Sequence, residues 1–126
     1  MAEVAFSKMA EKSDNPDVKR FAEKMVRDHT AANKELTTIA NEVGVEIPKT
    51  LDTDHQKIHD QLQSMHGKAF DQQYMRVMVD DHDQAVKLFG QEDSVGHDSR
   101  LKQFAHTTLS TIEEHHKMAL GVASAI

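Results

Sequence analysis

The chain has 126 residues, 21 Asp plus Glu against 15 Lys plus Arg, nine histidines, no cysteine and a formal charge of -6. That length suits one domain spanning residues 1–126. The acidic balance argues against a general grip on nucleic acid or anionic lipid and favours cations. Disulfides, thiolate zinc sites and cysteine catalysis are excluded.

No apolar run approaches the roughly 20 residues of a membrane span, and a basic-then-apolar secretion signal is absent from this chain. The five glycines and two prolines punctuate the periodic stretches rather than interrupt them. A first, short helix is expected from about Ala2 to Lys12, with Phe6, Met9 and Ala10 on one side. Ser13-Asp14-Asn15-Pro16 then supplies turn and cap chemistry. The second helix runs from Pro16 to about Val43. Val18, Ala22, Met25, His29, Ala32, Leu36, Ile39 and Val43 follow a 4-3 spacing before Gly44.

Val45 to Thr50 reads as a connector. Leu51, His55, Ile58, Leu62 and Met65 then form a short third helix up to Gly67. The fourth helix, about Ala69 to Gln91, turns Phe70, Tyr74, Met78, His82, Ala85 and Phe89 inward and ends near Ser94 to Gly96. The last begins near Asp98 and aligns Leu101, Ala105, Thr108, Ile112, His115, Ala119 and Val122. Strand signals are absent. The expectation is an all-α fold, a ferritin-like four-helix bundle with a short additional helix in the crossover, because each apolar stripe needs neighbours to cover it.

An internal echo supports that connectivity. Phe21-x-x-x-Met25-Val26-Arg27-Asp28-His29 aligns with Tyr74-x-x-x-Met78-Val79-Asp80-Asp81-His82. If the segment from Gly44 to Gly67 crosses the bundle, these sister helices run parallel, with His29 and His82 at one level. An up-down arrangement in which the short helix is a full member is the alternative.

Four histidines, His29, His55, His82 and His115, occupy stripe positions of different helices. About three positions in seven face a core, so roughly four of the nine would fall there by chance. More telling is the second helix, whose stripe holds no Asp, Glu, Lys or Arg yet accepts His29. A buried ring needs a partner. Neutral imidazole binds zinc, iron, copper or nickel, and bundle interiors build such sites from facing helices. The expected ligands are His29, His82 and His115, with Asp28, Asp81 and Glu3 as oxygen donors or outer acceptors. The competing reading is a metal-free hydrogen-bond network of histidine, aspartate and Tyr74.

His55 and His59 form an i, i+4 pair able to chelate an ion, and Glu113 with His116 has Glu-x-x-His spacing. A di-iron centre needs a second such motif, but Val26 and Val79 stand three before His29 and His82, so ferroxidase chemistry is disfavoured. Phosphate-binding, zinc-protease and nucleophile-elbow motifs are missing. Met25, Met65 and Met78 lie at core positions and read as packing rather than copper ligands.

The string from Asn15-Pro16-Asp17-Val18-Lys19-Arg20-Phe21-Ala22 through Met25-Val26-Arg27-Asp28-His29 to Glu35-Leu36 resembles a bacterial ferritin-like family of unknown function, whose members are generally expected in the outer membrane or periplasm. The likeness continues through Leu51-Asp52-x-x-His55-Gln56, Gly67-x-x-Phe70-Asp71-x-x-Tyr74, Met78-Val79-x-Asp81-His82 and Thr108-Leu109-Ser110-Thr111-Ile112-x-x-His115. It implies a ferritin-like core, periplasmic or outer-membrane-associated export and no established activity. The family positions that map here are Glu3, Asp28, His29, His55, Asp71, Tyr74, Asp81, His82 and His115. Two departures are Ser110, where the family has proline, and a short first helix. The latter leaves core for a second copy to cover, hence an expected homodimer. The functional expectation is noncatalytic sequestration or buffering of a transition metal, with a stress-related structural or interaction module as the alternative.

Overall fold

The computed structural model describes residues 2–44, 51–95 and 99–126. Among them are five helices and no strand: α1 (Ala2–Ala10), α2 (Pro16–Val43), α3 (Thr53–Gln63), α4 (Gly67–Val95) and α5 (Ser99–Ala125). The connector expected at 45–50, and the residues 96–98 where α4 and α5 were expected to meet, lie outside the described residues.

Local chemistry accounts for the helix ends. Asn15 caps α2: its side-chain oxygen accepts from the backbone N–H of Asp17 at 2.9 Å and of Val18 at 3.2 Å, while Pro16 opens the first turn. At the other end Gly44 adopts φ 80°, a left-handed conformation open to glycine, and its N–H returns to the last carbonyls. Asp52 caps α3 by accepting from the His55 N–H at 2.8 Å. That cap begins α3 at Thr53, two residues after the expected Leu51. α1 stops at Ala10 rather than Lys12, and α4 begins at Gly67, ahead of the expected Ala69, and ends at Val95, within the stretch expected to close it.

α1 packs on α2, α2 on α5, α5 along α4, and α4 on α1, with α3 laid against α1 and α4. Side-chain pairs give the directions. Phe21 meets Tyr74 and His29 meets His82, so α2 and α4 run the same way. Phe89 meets Phe104 and His82 meets His115, so α5 opposes α4. Glu42 near the end of α2 accepts from Arg100 near the start of α5 at 2.6 Å, which sets those two helices antiparallel.

The core is densest where α1 covers the other helices. Phe6, Val18, Phe21, Met25, Leu62, Tyr74, Met75 and Met78 are buried there. Full burial of a side chain of this size stabilises by about 1.5–3 kcal/mol. Beyond α1 the same stripes are only half covered, as at Leu36, Ile39, Ala85 and Phe89. No helix among the described residues is long and apolar enough to cross a membrane.

Two polar ties lock α1 and its turn onto α4. Ser7 Oγ and Tyr74 Oη, both fully buried, lie 2.6 Å apart, and Ser13 Oγ donates to Asp71 Oδ1 at 2.6 Å. Tyr74→Phe strands the Ser7 hydroxyl in the core, a loss of about 1–3 kcal/mol. Urea unfolding is expected to show that loss, and to show Tyr74→Phe with Ser7→Ala costing clearly less than the sum of the singles. Additive losses would mean that the two hydroxyls do not depend on each other.

Candidate metal centre

His29 of α2, His82 of α4 and His115 of α5 meet at one level of the helix interior. Their ring centroids are 5.4 Å (His29–His82), 5.2 Å (His29–His115) and 5.7 Å (His82–His115) apart. One nitrogen from each falls within 4.8 Å of the other two. No carboxylate among the described residues belongs to that set.

Hydrogen bonds fix which nitrogens hold lone pairs. His82 Nδ1 lies 2.8 Å from the Met78 carbonyl oxygen, which can only accept, so Nδ1 carries the proton and Nε2 the lone pair. His115 Nε2 is 2.9 Å from Asp28 Oδ2 and donates to it, which leaves His115 Nδ1 as the lone-pair nitrogen. That Nδ1 is buried and has no hydrogen-bond partner. The two Nε2 atoms of His29 and His82 are 3.4 Å apart. This is long for a hydrogen bond, yet two nitrogens held at about 2.0–2.1 Å by a tetrahedral ion stand about 3.3–3.4 Å apart.

The electrostatics keep all three rings neutral. Burial pushes His29 down to about 4 against the pull of the Glu3 carboxylate, and the neighbouring His82 and His115 add to the push. Burial also lowers His82, against its bond to Met78, and His115, against its bond to Asp28. Asp28 stays ionised: burial would raise it, but the bonds from His115 and Lys24 prevail and hold it low. Lys24 Nζ stands 3.2 Å from the same Asp28 oxygen that His115 uses. Phe21 lies edge-on to His82 at 6.4 Å and seals that side.

The other expected residues go elsewhere. Asp81 faces α3, where its Oδ2 is 3.4 Å from His55 Nε2, while His55 Nδ1 is 2.7 Å from Asp52 Oδ2. With a carboxylate beside each nitrogen, His55 rises above its ordinary value despite burial. Burial and then the Glu3 charge raise Asp81 to about 6. His59 packs against Phe6 at 6.5 Å, as His55 does at 6.1 Å. Glu3, on α1, acts electrostatically on both groups, on His29 and His82 of the cluster and on the His55–Asp81 pair. Glu113 is exposed and His116 half-buried, and neither joins the clustered set. Tyr74 is spent on Ser7 rather than on a histidine.

Lys24 and Ser7 stand outside the expected residues, and Ser13, expected only as turn and cap chemistry, also ties to Asp71. Lys24 was legible as the residue one turn before Asp28 on the same face. Ser7 sits beside Phe6 on a short helix, where nothing distinguishes a buried serine from an exposed one.

A pH dependence follows from the lowered histidines. Unfolded histidine takes up protons near 6.5, whereas folded His29 resists them until about 4. The unfolded state therefore binds more protons in this window, and stability is lost as pH falls through it. The metal-free protein is expected to melt progressively lower from pH 6.5 to 4, and His29→Leu to flatten that slope. An unchanged slope in His29→Leu would show that His29 does not resist protonation in the fold.

No curated protein and no solved structure was found to match the chain. The family model described as Domain of unknown function (DUF4142) matches residues 1–122, so the chain belongs to that family.

Proposed function

We propose that the protein binds one transition-metal ion through His29, His82 and His115, and that its role is noncatalytic sequestration or buffering of that ion. The observation that carries this reading is the convergence of three neutral imidazole nitrogens within 4.8 Å, with a buried lone pair on His115 that nothing in the protein uses. An unpaired buried nitrogen costs stability that a ligated one does not. Nitrogen-only donors suit zinc, copper(II), nickel or iron over magnesium and calcium. Asp28 serves as the outer acceptor that orients His115, a role that strengthens an imidazole as a ligand.

The scaffold in this reading is a single ferritin-like four-helix bundle with α3 as the added helix of the crossover. The shared direction of α2 and α4 supports it. Family resemblance supports a place in the bacterial envelope. A second reading keeps the interior free of metal, as a structural module. The His82–Met78 and His115–Asp28 bonds favour it, because each gives a ring N–H its acceptor without an ion.

Thermal melting of tag-free protein separates the two. An ion that binds only the folded state at 100 times its Kd stabilises by about 2.7 kcal/mol, on the order of 10 °C for a chain of this size. Zinc, copper or nickel is expected to raise the melting temperature of the parent and not that of His82→Ala, with chelator reversing the rise. His29→Ala and His82→Ala should also be strongly non-additive in metal affinity. Melts that none of zinc, copper, nickel and iron moves would leave the structural module as the answer.

A further inference from the structure

Asp28 joins the buried histidine layer to charge at the protein surface. Its Oδ2 accepts from His115 Nε2 at 2.9 Å and stands 3.2 Å from Lys24 Nζ, so one carboxylate oxygen serves two donors. Its Oδ1 stands 3.5 Å from Arg27 Nε. The two cations differ in their surroundings. The Lys24 side chain is 28% exposed, close to the 23% of Asp28, whereas that of Arg27 is 72% exposed. Water screens the more distant Arg27, which leaves Lys24, one turn before Asp28 on α2, as the stronger partner.

These contacts run from the surface to a ligand nitrogen. Lys24 holds Asp28, Asp28 holds the His115 N–H, and across the ring His115 Nδ1 keeps a buried lone pair with no hydrogen-bond partner. A carboxylate that accepts from an imidazole N–H makes the opposite nitrogen a stronger metal donor. A cation on the same carboxylate oxygen draws off part of that effect, so His115 is a weaker donor than Asp28 alone would make it. The electrostatics run the same way: burial lowers His115, the Asp28 contact raises it, the Lys24 charge lowers it again, and Glu114 on its own helix raises it. Glu3 acts on His29 and His82, the other two rings of the layer.

We propose that Lys24 is a positioning residue that holds down the metal affinity of the three-histidine site, acting through Asp28 and His115, so that the ion is exchanged rather than locked in. This deepens the metal reading and rests on it. Lys24 also steadies the Asp28 side chain, and the two roles have opposite signs. Losing a mere support loosens His115 and weakens metal binding, whereas losing the competing charge strengthens it.

The test is the zinc affinity of the full chain, measured by competition with a chelating dye; copper(II) takes the place of zinc if the parent binds only copper. Lys24→Met keeps an aliphatic stem of similar length and removes the charge. It is expected to bind zinc about tenfold more tightly than the parent, the lower end of the range for outer partners of a ligand histidine. Lys24→Arg, which keeps the charge, is expected to stay within about threefold of the parent, and Asp28→Asn to bind about tenfold more weakly. With Asp28→Asn in place, Lys24 has lost its ion pair and extends into water. Lys24→Met is then expected to change affinity by less than about twofold, a strong non-additivity that support alone would not give. Lys24→Gln, also uncharged, gives the same reading should Lys24→Met fold poorly. Unchanged or weaker zinc binding in the uncharged variants, the same gain in Lys24→Arg, or a gain of the same size on top of Asp28→Asn overturns the inference and leaves the metal reading standing. A parent that binds neither zinc nor copper removes both, and its titration alone identifies that outcome.

Discussion

Three imidazoles drawn out of water at one level between α2, α4 and α5 are the constraint around which the interior is organised. A buried ring is tolerable only when neutral and when its N–H has an acceptor. The chain meets the second condition differently at each helix. His82 uses the carbonyl one turn back on its own helix, a solution that any inward histidine on a helix has within reach. His115 has Asp28 of the facing helix. His29 Nε2 stands 3.4 Å from His82 Nε2, within reach of that lone pair, while His115 Nδ1 keeps a buried lone pair with no hydrogen-bond partner, which makes this point attractive to a cation.

That layer divides the molecule into unlike halves. On the α1 side, Phe6, Phe21, Met25 and Tyr74 fill the space, and two hydroxyl-centred ties fix α1 and its turn to α4. On the other side, Leu36, Phe89 and Phe104 line a cavity of about 210 Å³ that α1 reaches only through Glu3 among the described residues. A well-packed half gives the rigidity needed to hold ligand nitrogens in place, while the half-covered side gives access. Glu3 belongs to the boundary, where its charge is felt by His29 and His82 and by the His55–Asp81 pair alike.

Much of this was legible in the residues. The 4-3 stripe of α2 and its Asn15, Pro16 and Gly44 punctuation gave the helix its bounds, because caps and breakers act locally. The echo between Phe21–His29 and Tyr74–His82 gave the parallel register, since equal offsets on equal helices bring equal levels together. The layer of His29, His82 and His115 followed from those two facts and the stripe of α5. Less legible were the helix ends with weak punctuation, as at Gly67, where φ is 62° and α4 begins before its apolar stripe does. The choice of partner for each polar side chain was hidden altogether, because it depends on which helix lies alongside and by how much it is rotated.

The two aspartates of the echo make that last point physically. Asp28 and Asp81 each precede an inward histidine, so each projects about 100° around its helix from that histidine, toward whatever packs at the flank. For α2 the flank is α5, and Asp28 meets His115, a member of the central layer. For α4 the flank is α3, and Asp81 meets His55, outside that layer. A repeated motif therefore produces an unrepeated site. One copy supplies an ion-paired carboxylate, steadied by Lys24, that orients a central ring, and the other supplies a half-buried carboxylate, raised to about 6, that stands 3.4 Å from a ring nitrogen of His55 on α3. The asymmetry comes from the neighbours of α2 and α4, and it explains why only three of the inward histidines converge while the fourth, His55, is held by carboxylates on both of its nitrogens.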